Sequence, residues 1–353
     1  MPPPFRRLST VIAPAVWMMA SQCCHAQSTP PSEPVTELPP ITVTGNYSNA
    51  VGSAEAASGG AVTRKLIESR PTLRPAEVLE FVPGLIVSQH SGDGKANQYY
   101  LRGFNLDHGT DFATFVDGMP GNMPTHAHGQ GYTDLNWLIP ELVDHINYRK
   151  GPYYADEGDF ASAGSARIRL VDTLSKGLAS VTLGAHAYER ALLANSTALT
   201  SGNMLYAIEA AHNNGPWDNP EHFKRFNGVL RYSLNEGGVR QSLTAMAYTA
   251  KWDSTDQVPQ RAINEGLIDR FGAIDPSDHG STQRTSLSYQ RTQVLTDGDW
   301  QFNAYALASH LDLFSNFTYL DDQGNSAQFE QAERRQAYGA HTVRSWFVDW
   351  GGL

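Results

Sequence analysis

FNGVLRYSL, residues 226–234, sorts its side chains by parity: Phe226, Leu230, Tyr232 and Leu234 fall on one face, and Asn227, Arg231 and Ser233 on the other. A period of two is that of a β-strand with one apolar and one polar side. The texture extends both ways along the chain. In LASVTLGAHAY (178–188), Ala179, Val181, Leu183, Ala185 and Ala187 oppose Ser180, Thr182, His186 and Tyr188. In WQFNAYALAS (300–309), Trp300, Phe302, Ala304, Ala306 and Ala308 oppose Gln301, Asn303 and Ser309. About eight such strands follow one another from Leu178 onward, the weakest patterns being Ala191–Leu199 and Ala337–Phe347.

The connections alternate too. TSGN, NEGG (235–238) and LTDGD (295–299) are tight, whereas Pro216–Lys224, Trp252–Gly280 and Thr318–Arg335 are long and polar. The link near Glu189 is a short exception. Short turns at one end and long loops at the other are the pattern of a β-barrel whose apolar face meets lipid. A soluble β-sandwich shows the same alternation without the asymmetry of its loops. No stretch reaches the ~20 apolar residues of a transmembrane helix.

Toward the N-terminus, residues 60–172 read as a compact α+β domain. TLRPAEVLEFVPGLIV predicts a short helix around Ala76–Phe81, ended by Pro83-Gly84 and followed by a strand. NQYYLRGF, DFATFVDGMP, HINYRKGP and SARIRLV predict further strands. Gly103, Gly118, Gly151 and Gly158 sit where these strands turn, positions that favour positive φ. Arg102 and Lys150 are charges in apolar surroundings, and burial would require carboxylate partners for them.

Residues 1–26 carry Arg6 and Arg7, an apolar run and a small residue before a polar one, which describe a secretory signal cut after Ala26. Cys23 and Cys24 both lie inside it, and Gln22 is a poor neighbour for lipoprotein processing at Cys23. The mature chain therefore has no thiol for a disulfide framework or a thiolate metal site. Residues 27–59 are rich in Pro, Ser, Ala and Gly, a composition that cannot offset the entropy of ordering. They read as a flexible tether, except for a β-branched run inside PPITVTGN (39–46).

The 353 residues, 41% hydrophobic and 18% charged, suffice for two domains. A net charge of −10 argues against a nucleic-acid partner. Motifs for a nucleophile elbow, a zinc protease or a phosphate-binding loop are absent, so neither an enzyme nor a bound cofactor is expected. The segment GMPGNMPTHAHGQGYTDLN (118–136) is chemically the most suggestive. His126 and His128 share a face if extended and can both approach a metal, with His90 and His108 as company. Two histidines without a carboxylate or thiolate are a weak metal signal, and polar residues shaping a pocket are the alternative.

PPITVTG, RPAEVLEFVPGLIV, LRGFN, FVDGMP, PELVDHINYRKGP and DEGDFASAGSARIRLV, in this order, resemble the TonB-dependent outer-membrane receptors of Gram-negative bacteria. The resemblance implies an α+β plug domain at 60–172 followed by an antiparallel transmembrane β-barrel at 178–353. It makes residues 40–45 a TonB box, in which Ile41, Thr42, Val43, Thr44 and Gly45 add a strand to the periplasmic partner TonB. It implies that Arg102 and Lys150 latch the plug to glutamates of the barrel wall, although Lys150 lacks the fork of the family's arginine. It places the loop after Gly118 toward the extracellular vestibule, with His126, His128, Gln130 and Tyr132 as ligand-binding residues.

The function implied is TonB-dependent import of a scarce ligand, a ferric siderophore or other metal chelate, across the outer membrane, whose lipid surrounds the barrel. The alternatives are a zinc, copper or small-molecule receptor of the same family, and a passive porin or adhesin, which needs neither plug nor TonB box. A receptor that also signals inward requires a further folded domain, and about fourteen residues between Ala26 and Ile41 leave no room for one. Family barrels have about twenty-two strands. With roughly eight present and DWGGL at the end, the chain reads as a truncated receptor, or a non-functional fragment.

Overall fold

A computed structural model describes residues 58–89, 91–125, 131–317 and 327–347. The expectations for the export signal, for Ile41–Gly45, and for His90, His126, His128 and Gln130 lie outside the described residues.

The described chain opens with strand β1 (Gly59–Thr63), helix α1 (Arg64–Glu68) and a 3₁₀ segment, Pro75–Phe81. Strands β2 (Leu85–Ser88), β3 (Gln98–Leu101), β4 (Phe104–Asn105), β5 (Phe112–Val116), β6 (Met119–Pro120), β7 (Asn122–Met123) and β8 (Tyr132–Thr133) follow. After a 3₁₀ turn at Pro140–Leu142 come β9 (Val143–Arg149) and β10 (Gly164–Leu170). The helix expected around Ala76–Phe81 is thus 3₁₀ in character. Its seven residues start on Pro75, and the Glu77 carboxylate accepts the backbone N–H groups of Leu73 and Arg74 at 2.9 and 3.3 Å. So short a segment, with Pro83 just beyond it, favours the tighter winding.

Five strands form one sheet in the order β1-β9-β10-β5-β6. β10 runs parallel to β5 and antiparallel to β9. Val78, Leu79, Tyr99, Phe112, Ile146 and Ile168 are buried together in its core. β5 and β6 meet through Asp117-Gly118, both at positive φ (47° and 74°). A two-residue turn with these signs is the one whose twist matches a hairpin, and Asp-Gly is a preferred filling for it. Gly103 and Gly151 also take positive φ, as expected, whereas Gly158 does not.

The second body is a single sheet of eight strands in strict chain order, every pair antiparallel. It comprises β11 (Leu178–Leu183), β12 (Glu189–Ala198), β13 (Asn203–Asn213), β14 (Phe223–Glu236), β15 (Val239–Asp253), β16 (His279–Leu295), β17 (Gly298–Ser315) and β18 (Phe329–Trp346). A short helix, α2 (Gln260–Asn264), lies in the long link before β16. The NEGG turn closes on Gly237-Gly238, with Glu236 paired to Val239 across it. Among the described residues the sheet is open, with β11 and β18 as its edges.

The faces of this sheet separate the two readings of its sequence. Phe226 and Leu230 are 46% and 50% exposed, and Val181 and Leu183 are 75% and 73% exposed. Asn227 and Arg231, on the opposite face of β14, are 1% and 0% exposed. A soluble sandwich buries its apolar face. Here the apolar face points away from the protein, and the polar face packs on the first domain. That is the arrangement of a barrel wall in lipid.

Candidate functional site

The polar face of the wall meets the first domain through charge. Arg231 of β14 donates to Asp117 Oδ2 at 2.5 Å, to Asp172 Oδ1 at 2.8 Å and to Thr244 Oγ1 at 2.7 Å. Asp117 is held by its hairpin turn, and its other oxygen accepts the N–H of Leu170 at 3.2 Å. Burial pushes the Asp117 carboxyl upward, against the pull of Arg231 and Arg169. A buried pair survives when further hydrogen bonds use the remaining donors and lone pairs, as they do here.

A second cluster centres on Glu209 of β13. It accepts from Arg190 Nε at 2.5 Å, Arg225 Nη2 at 2.8 Å and Asn227 Nδ2 at 2.7 Å. Arg190 then grips Glu141 of the first domain with two bonds, 2.6 and 2.9 Å long, in the forked geometry that only a guanidinium offers. Asn227 donates as well to the backbone carbonyl of Asn136 at 3.1 Å. At these two clusters, therefore, the α+β domain supplies carboxylates and the wall supplies the arginines that meet them.

The expected latch is not made within the described residues. Arg102 is exposed, with φ of 54°, and among the described residues it has no carboxylate within ion-pair reach. Lys150 is buried, but its ammonium lies 3.5 Å from the carbonyl of Pro83 and 5.6 Å from the centre of the Tyr148 ring. Neither meets a glutamate of the described wall. In that motif it is Arg149 that finds carboxylates, at Asp156 and Glu157 of its own domain, 2.8 and 2.9 Å away. The signal for the observed pairs was present in the polar parity of the wall strands, Arg231 included. Their partners, up to 114 residues distant, left no local trace.

At the end of the wall bearing the long loops, a cavity of about 50 Å³ opens between the two bodies. Lys95, Tyr132, Asp134, Trp252, Phe317 and Phe329 are among its lining residues. Tyr132, in β8, is one of these lining residues, and burial pushes its hydroxyl pKa upward. Burial also pushes the Asp134 carboxyl up to about 6. His108 lines the cavity too, and its Nδ1 lies 3.2 Å from the carbonyls of Ala96 and Asn97, contacts that require the proton on that nitrogen. Among the described residues no three His, Cys, Asp or Glu side chains converge as a metal site would need. At ~10–15 Å³ per water, the cavity holds a few waters. Ligand pockets run to ~300–1,000 Å³, so this cavity is smaller than such a pocket.

Residues 53–165 match the family described as the TonB-dependent receptor plug domain. Residues 53–165 are a plug domain of that family. The fold of the chain agrees: it superposes on the ferric-catecholate import receptor Fiu from E. coli with a TM-score of 0.60 at 12% identity, over 81% of this chain and 45% of that one. The match to the copper transporter OprC has a TM-score of 0.58 at 17% identity, over 85% and 45% of the two chains. That to the ferric yersiniabactin uptake receptor FyuA from Yersinia pestis has a TM-score of 0.57 at 14% identity, over 82% and 46%. The chain thus spans less than half the length of each of these solved structures. Its α+β domain is the plug, its eight-stranded sheet is barrel wall, and the family is one of receptors, not of enzymes.

Proposed function

We propose that the receptor serves TonB-dependent import of a scarce ligand across the outer membrane, with a ferric siderophore as the cargo. The observation that carries this reading is the plug seated by ion pairs on the polar face of the wall, with an aromatic-lined cavity at the loop end. A blocked barrel is useless to a passive porin, and a plug has to be moved by work from outside. In this reading residues 1–26 direct export, residues 27–59 are the periplasmic tether, and Ile41–Gly45 pair as a strand with TonB. Residues 60–172 act as the plug and 178–353 as wall.

The apolar and aromatic lining, with Trp252, Phe317 and Phe329, suits an organic chelate better than a bare ion. The metal-ion reading then rests on His126 and His128, whose spacing permits two imidazoles on one guest. Arg102 and Lys150, which find no carboxylate on the described wall, remain candidates for contact with further wall.

The test compares the wild-type chain with Val43→Pro in cells lacking other receptors for the same chelate. Proline removes a backbone donor and fixes φ in the strand that TonB would extend. Uptake of labelled ferric siderophore should vanish while binding at the cell surface persists. Undiminished uptake by the variant would end the strand-addition reading.

A further inference from the structure

SGDGKA, residues 91–96, lies in the link from β2 to β3. In the structure three consecutive residues of it grip the wall at its loop end. Asp93 accepts from Asn213 Nδ2 at 2.6 Å, and its backbone N–H donates to Glu221 Oε1 at 3.1 Å. The Lys95 ammonium meets Asp256 Oδ1 at 2.6 Å, an ion pair with both side chains largely buried. Between them Gly94, at φ +88°, lies against the Trp252 indole so closely that a Cβ there would fall 2.2 Å from a ring carbon. Gly280 of β16 abuts the same ring, where a Cβ would fall 2.3 Å away. A Cβ on Gly92 would overlap the Glu221 carboxylate. The loop fits only because these positions lack side chains.

We propose that residues 91–96 form a proton-dependent clasp between plug and wall, closed while Glu221 and Asp278 carry protons and loosened when they ionise. Glu221 is buried beside the carboxylate of Asp93, accepts from Trp217 Nε1 at 2.7 Å, and has Lys95 as the cation acting on it. Its backbone carbonyl takes the N–H of Asp253, whose carboxylate is engaged by His222 at 2.8 Å. Asp278 is buried and hydrogen-bonded to Asp256, the partner of Lys95, with Asp275 close by. Gln328 donates to Asp278 at 2.9 Å, Asn316 to Asp275 at 2.9 Å, and the neighbouring His279 turns its Nδ1 to the Ser277 carbonyl. Two carboxyl pairs thus share one lysine. Burial and, secondly, Asp93 raise Glu221 to about 7; burial and, secondly, the neighbouring aspartates raise Asp278 to about 7.

The sign follows from linkage. Once released into solvent, both carboxyls return to ordinary values near ~4, so between there and about 7 the closed clasp binds more protons than the open one. Closure is therefore strongest in acid, weakens as pH rises through this window, and levels off above it. In closing on a proton the clasp resists withdrawal of the plug, whatever ligand the receptor takes.

Hydrogen exchange of the full chain in detergent micelles, read by mass spectrometry and corrected for intrinsic exchange, tests this. Protection of residues 91–96 should fall by roughly tenfold or more between about pH 5 and about pH 8, since one unit of pKa coupling is a factor of ten. The Glu221→Gln/Asp278→Asn variant should keep its protection at the higher pH. Gly94→Ala should lose it at both. Equal wild-type protection at the two pH values would overturn the proposal without recourse to any variant. So would an unchanged pH dependence in the double variant.

Discussion

Arg231 of the wall and Asp117 of the plug meet at 2.5 Å, with side chains 0% and 2% exposed, and here the cation belongs to the wall and the anion to the plug. The Asp-Gly hairpin turn sets the carboxylate, and the polar parity of β14 sets the guanidinium. Arg231→Met leaves the buried Asp117 carboxylate without its guanidinium and should cost ~3–5 kcal/mol; Asp117→Asn should cost less, because Arg231 keeps Asp172 at 2.8 Å. The double variant should cost clearly less than the sum. Urea unfolding of the four proteins in micelles measures the coupling, and additivity within about 0.5 kcal/mol would show that the two residues do not act as a pair.

Glu209 should matter more than Glu141, although both hold Arg190. Glu209 has a fully buried side chain and serves Arg190, Arg225 and Asn227, whereas Glu141 is 33% exposed. Glu209→Ala strands the buried Arg225 and leaves Arg190 with Glu141 alone, with a loss on the order of 3 kcal/mol. Glu141→Ala leaves Arg190 with its other carboxylate and some solvent, and about 1 kcal/mol is expected. The ranking of urea midpoints decides, and a reversed order would mean the seam is held mainly by the Glu141 contact.

Asp134 predicts a pH dependence. Its folded pKa, pushed up to about 6 by burial, lies above the ordinary carboxyl value, so the folded protein holds a proton that the unfolded chain releases. Stability from this group is present in acid and is lost as pH rises through about 6. Asp134→Asn, which cannot ionise, should flatten that part of the curve. Melting temperatures followed from acid to neutral pH give the comparison, and parallel curves for wild type and variant would remove Asp134 as the cause.

His126 and His128 separate the two cargo readings. If they hold a bare metal, replacing both with alanine should abolish binding of zinc or copper, and wild-type affinity should drop as pH falls through ~6.5, where imidazole protonates. If the cargo is a ferric siderophore, the variant should keep most of its affinity. Calorimetry of both proteins against the two metals and a siderophore panel distinguishes these outcomes. Unchanged binding of every ligand tried would take the loop out of the site.

What the sequence determined by itself was whatever repeats or is local. Strand parity in 226–234, the tight turns at 235–238 and 295–299, and Asp117-Gly118 each depend on residues a few positions apart, and each is found in the structure. Parity could say that Arg231 faces away from Phe226, but not which face is wet, dry or covered. Only the seating of the plug decided that the polar face is the buried one, and only it joined Arg231 to Asp117, Arg190 to Glu141 and Lys95 to Asp256. These partners stand 114, 49 and 161 residues apart. A charge chooses its partner by distance in space and by the dielectric around it, and neither quantity exists until the two bodies have packed. The same holds for SGDGKA, whose glycines read as an ordinary loop until Trp252 and Glu221 occupy the space that side chains there would have filled.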